Sequence, residues 1–97
     1  MDLLNDKNVR FAFGAFIRTG RKRLGLTQSE VATALHTTQS VYSCYESGRR
    51  PVTLSVAVNI CRYLDLDFGR FVESLFRRKS TVLPLNKENL YETSFSN

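Results

Sequence analysis

Four residues between positions 39 and 44 have the types and spacing to recognise another molecule by shape and hydrogen bonding. Gln39, Ser40, Ser43 and Cys44 fall at i, i+1, i+4 and i+5, so on a helix they share one face. All are short or medium in length and uncharged, and three are polar. A helix with so slim an outer face fits deep in the major groove of double-stranded DNA, because no bulky side chain holds its backbone off the bases. The Gln39 amide is able to make two hydrogen bonds to adenine, at N6 and N7. The opposite face offers Val41, Tyr42 and Tyr45 for packing.

Charge points the same way. The 97 residues carry 14 Lys/Arg against 9 Asp/Glu, a formal +5, and a pI near 9.6, which favours an anionic partner. Residues 1–26 hold six basic and two acidic side chains, so +4 of the total lies there, with Arg21, Lys22 and Arg23 as the densest run. A solvated, positive helix end has the same composition, so charge alone does not separate the two readings.

The other reactive residues form no constellation. His36, Cys44 and Cys61 are too few and too scattered for zinc, which takes four ligands or three and a water. No nucleophile with a base and oxyanion donors is recognisable, nor a phosphate-binding glycine loop, so neither an enzyme nor a cofactor is expected. Cys61 reads as a small core residue, while Cys44 in an electropositive groove is also a candidate redox-sensing thiol. Two cysteines make no disulfide framework and fit a reducing cytosol. Residues 1–8, with Asp2 and Asp6, lack the basic start and apolar run of a signal peptide, and no apolar stretch is long enough to span a bilayer. A cytoplasmic, nucleoid-associated protein without membrane contact is expected.

The elements that must position these residues are short helices. With 42% hydrophobic and 24% charged residues, the chain can bury one modest core, which excludes a cleft between two large domains. Val9, Phe13, Phe16, Ile17, Gly20 and Leu24 recur at three- and four-residue steps and predict a helix from Asn8 to Leu24, ended by Gly25. Thr27 and Glu30 form a capping box for a second helix, Gln28 to Leu35. Thr38 caps a third, Gln39 to about Ser47, which stops at Gly48 before Pro51. A fourth begins at Thr53 or Leu54 and runs to Leu64, with Leu54, Ala57, Val58, Cys61 and Leu64 as its stripe. Asp67 caps a fifth, Phe68 to about Arg78, with Phe68, Phe71, Val72 and Leu75 inward and Glu73 paired to Arg77 outside. The fold class is therefore all-α. After Lys79 the chain turns polar and helix-poor, with Thr81, Val82 and Leu83 able to make a short strand.

Residues 18–66 resemble the phage-repressor/Cro-type, or XRE, helix-turn-helix family. The resemblance rests on Arg21, on Gly25-Leu26-Thr27-Gln28, and on Glu30-Val31-Ala32 with Leu35. It continues through Thr38-Gln39-Ser40, Tyr42-Ser43, Glu46-Ser47-Gly48 and Arg50-Pro51. It implies a compact five-helix lambda-repressor-like domain over residues 1–78, its helix-turn-helix at 28–47. Residues 79–97 would be a tail, either mobile or a dimerisation arm. It further implies that Gln39, Ser40, Ser43 and Cys44 contact bases, and that Gln28, Thr38, Arg49, Arg50, Arg18 and Lys22 contact phosphates. Arg21 and Glu46 would form a structural ion pair. Two departures stand out: His36 occupies a turn position usually held by Gly, and Cys44 replaces a longer polar residue, so fewer direct base bonds are expected.

The expected protein is a sequence-specific regulator of transcription, in the first place a repressor, binding a pseudo-palindromic operator as a homodimer. The competing readings are an antitoxin that binds a toxin through its tail and its own promoter through the motif, and a DNA-architectural or conjugation accessory protein. Phe11, Phe76, Leu85, Leu90, Tyr91 and Phe95 exceed what a minimal core needs and are read as an interface patch.

Overall fold

Each helix start among the described residues has a local chemical cause. A computed structural model describes residues 5–80, in which α1 (Lys7–Arg23), α2 (Gln28–Ala34), α3 (Gln39–Ser47), α4 (Leu54–Tyr63) and α5 (Phe68–Ser80) follow one another. No strand occurs among the described residues. The carboxylate of Asp6 caps α1 by accepting from the Asn8 and Val9 amides at 2.9 and 3.2 Å, a role the sequence reading did not assign. The Thr27 hydroxyl accepts from the Glu30 amide at 3.0 Å, while the Glu30 carboxylate accepts from the Thr27 amide at 2.8 Å, completing the expected capping box. Thr38, Thr53 and Asp67 cap α3, α4 and α5 in the same fashion, at 3.1, 3.2 and 3.0 Å.

The turns use left-handed backbone where expected and once where not. Gly25 and Gly48 have φ of 72° and 76°, and His36 has φ of 60°. Asp65, at φ 59°, closes α4 in the left-handed region and was not foreseen; a short polar side chain tolerates that geometry better than most.

The core sits where all five helices converge. Phe13, Ile17, Val31, Tyr42, Ala57, Ile60 and Leu64 are inaccessible or nearly so. Phe13 of α1 meets Phe68 and Phe71 of α5 edge-on and Phe16 stacks on Phe71, with ring centroids 5.0 to 6.1 Å apart across the pair of helices. Cys61 is buried, and that burial pushes its thiol up to about 11. Outside, Arg77 pairs with Glu73 at 2.9 Å.

Two core expectations fail. Leu24 is 48% exposed because it lies beyond the last helical residue of α1, where the chain already turns away. Leu54 is 62% exposed because it is the first residue of α4, and side chains lean toward a helix's N-terminus, past the edge of the core. Val52 and Ile60 are buried in their place. Phe11, read as interface, is 48% exposed but also packs: a Cβ on Gly48 would lie 2.5 Å from its ring. Phe76 is 57% exposed. Residues 81–97, including the short strand, the arm and its apolar residues, lie outside the described part of the chain.

One close approach sets how α3 is carried. Gly14 of α1 faces the end of α3 so tightly that a Cβ there would stand 2.8 Å from the Tyr45 carbonyl oxygen and 2.7 Å from the Glu46 carbonyl carbon. Only glycine permits that crossing.

Candidate nucleic-acid interface

The surface is assembled on a buried ion pair. Arg21 Nε donates to Glu46 Oε2 at 2.6 Å and its Nη2 donates to Oε1 at 3.0 Å, a two-pronged bond joining α1 to α3. The side chains are only 10% and 3% exposed. Arg21 Nη1 also donates to the Leu26 carbonyl at 2.8 Å, holding the turn into α2. One guanidinium thus orients all three helices. Its bond to Glu46 outweighs burial and raises its own ionisation. Burial alone would raise the Glu46 carboxyl, but hydrogen bonds from Arg21 and Gln28 prevail and hold it below the ordinary range.

The hydroxyl of Tyr42 lies beside this pair, buried and with no hydrogen-bond partner among the described residues. Burial, reinforced by the Glu46 carboxylate, pushes its ionisation far above the ordinary phenol value.

The network extends to the surface through Gln28. Its Nε2 donates to Glu46 Oε1 at 3.0 Å, and its Oε1 accepts a long bond, 3.4 Å, from Gln39 Nε2. A side-chain amide carries two N–H donors and two acceptor lone pairs, so both glutamines keep capacity for another partner. Gln39 is thereby turned toward the first residue of α2 before any ligand arrives. Side-chain freedom that recognition would otherwise have to remove is already reduced.

The remaining sequence-predicted residues lie on α1, on α3 and in the turns that flank α3. Thr38, Gln39 and Ser40 are exposed, and Ser43 and Cys44 are half-buried on the same helix. Arg18, Gln28, Ser43 and Ser47 line a shallow polar cleft, with the Arg21–Glu46 pair on its wall. Arg18 and Lys22 are exposed on α1. Arg49 and Arg50 are exposed after α3, but they are held differently. The Arg49 side chain folds back along α3, donating to Ser47 Oγ at 3.1 Å and lying 3.8 Å from the Cys44 sulfur. Arg50 precedes Pro51, which confines it to extended backbone.

The sequence reading missed Arg10. This half-buried α1 residue donates from Nε to the Gly48 carbonyl at 3.0 Å and from Nη1 to the Asn5 carbonyl at 2.7 Å. Its spacing from Gly14 and Arg21 on one helix side was the available signal, though nothing local revealed what it holds.

A slim polar helix braced from behind, with exposed cations at Arg18, Lys22, Arg49 and Arg50, suits a polyanion read along a groove. Residues 12–71 match the family described as a helix-turn-helix domain. Among solved structures, the chain is similar to the crystal structure of the clp gene regulator ClgR from Corynebacterium glutamicum. That match has a TM-score of 0.63 and 24% identity, and covers 91% of this chain and 95% of the other. No curated protein matches the sequence.

Proposed function

The chain belongs to the helix-turn-helix domain family, and from that premise we propose that it is a sequence-specific DNA-binding transcriptional regulator of the phage-repressor type. α3 enters the major groove with Gln39, Ser40, Ser43 and Cys44 toward base edges. Gln28, Thr38, Arg18, Lys22, Arg49 and Arg50 meet phosphates on either side. The observation that carries this reading is the exposure of Thr38, Gln39 and Ser40 at the start of a helix anchored through Glu46. A base-reading ridge must be both accessible and rigid.

Chemistry along the ridge sets how specificity is divided. Gln39 is the one side chain there able to make a bidentate bond to a base, whereas Cys44 offers a short, weakly bonding group suited to a thymine methyl. Sequence-dependent DNA shape therefore carries much of the discrimination. One domain makes few contacts, so the working form is a homodimer on half-sites about 34 Å apart. Bound across a promoter in the cytoplasm, such a dimer represses by excluding polymerase.

Selection of bound duplexes from a random pool tests this directly. Enrichment of a pseudo-palindrome is expected. Recovery of unenriched DNA removes the sequence-specific reading, and tandem direct repeats would replace regulation by an architectural role.

A further inference from the structure

The loop between α3 and α4 is tethered at both ends, and one tether is a side chain from the far end of the sequence separation. At its start, Gly48 leaves α3 in left-handed backbone with φ 76°. Its carbonyl is taken by Arg10 Nε at 3.0 Å, while the Arg49 amide reaches back to the Cys44 carbonyl at 3.0 Å. At its end, Val52 is 3% exposed and sits in the core. Only Arg49, Arg50 and Pro51 span the two anchors, and Pro51 removes further freedom from Arg50. The guanidinium of Arg10 is itself held in place, since its Nη1 donates to the Asn5 carbonyl at 2.7 Å.

We infer that Arg10 is a positioning residue for DNA binding: it fixes the exit of α3 so that Arg50 meets a phosphate without prior ordering of the loop. The inference rests on the DNA-binding reading above. Arg10 is half-buried and spends Nε and Nη1 on backbone carbonyls, so its guanidinium is committed to holding the loop. A planar guanidinium is suited to this, because its donors leave in fixed directions toward two separate oxygens, whereas a lysine ammonium holds one such partner well. The charge is also favourably placed at the C-terminal end of α3, where unpaired carbonyls carry partial negative charge.

The experiment measures binding of the full chain to a labelled random-sequence duplex over a range of salt, for the wild type, Arg10→Met, Arg50→Ala and the double variant. Arg50→Ala is expected to flatten the log–log salt slope by about one. Arg10→Met is expected to weaken binding about three- to tenfold, the scale of ordering one flexible side chain at an interface. The double variant should bind no more weakly than Arg50→Ala alone, because both changes remove the same contact. Additive losses, or unchanged binding by Arg10→Met, overturn the inference. An Arg50→Ala slope equal to wild type instead removes the phosphate role of the loop, and the inference falls with that reading. Arg10→Lys guards against a misfolded Met variant. Backbone 15N relaxation should show Arg49 and Arg50 loosened in it while α4 is unchanged, and an equally rigid loop overturns the inference.

Discussion

Among individual residues, the two that matter most do opposite things. Gln39 is exposed and, on the proposed reading, meets bases; Glu46 is buried and braces α3 against α1. Gln39→Ala is expected to relax base preference at one operator position and cost about 1–3 kcal/mol on the selected site, with little change on random DNA. Equal discrimination by the variant in competition binding would deny Gln39 that role. Glu46→Gln leaves the Arg21 charge buried without its carboxylate, a loss of roughly 3–5 kcal/mol in urea unfolding at neutral pH. The pH dependence has a definite sign. Because the folded state holds the Glu46 carboxyl below its ordinary value, its contribution is complete above the unfolded-state pKa and disappears as pH falls through the folded one. Wild-type stability should therefore drop in that acid window more steeply than that of Glu46→Gln. Parallel curves would mean that the pair adds nothing to acid sensitivity. The Arg21–Glu46 pairing was legible from the resemblance of residue types, but its third bond, to the Leu26 carbonyl, was not.

Elements behave as their caps and crossings dictate. α2 is seven residues long, too short to persist alone, and depends on its capping box and on packing. After it, His36 holds a conformation that costs an L-residue roughly 1–2 kcal/mol, against about 0.5–1 kcal/mol of extra chain entropy for glycine. His36→Gly should thus stabilise the fold by up to about 1 kcal/mol. A lower urea midpoint would show that the imidazole makes compensating contacts. At the α1–α3 crossing, Gly14→Ala should cost on the order of 1–3 kcal/mol, because the new methyl meets backbone that cannot yield. A melt indistinguishable from wild type would show that the helices separate freely. Helix boundaries were readable because Thr27, Thr38, Thr53 and Asp67 act on neighbours three residues away. The Gly14 crossing was not, since its cause lies more than thirty residues along the chain.

For the whole molecule, the proposed dimer is tested at residues 80–97. If the tail is a dimerisation arm, removing residues 80–97 should shift the sedimenting species from dimer toward monomer and weaken operator binding far more than binding to a single half-site. An unchanged mass would exclude the arm. The five-helix fold itself tolerates very different sequences, as the similarity to ClgR at 24% identity shows. On the proposed reading, the operator preference is therefore encoded by the few side chains on the ridge.

The chain's own order of residues already determined the all-α class, the five helices, their caps and the polar face of α3, because those depend on contacts a few positions apart. Tertiary structure alone decided which leucines were left in water, that Gln28 links Gln39 to Glu46, and that Arg10 grips the end of α3. Those outcomes depend on where distant segments meet, and burial and hydrogen-bond geometry exist only once they have met.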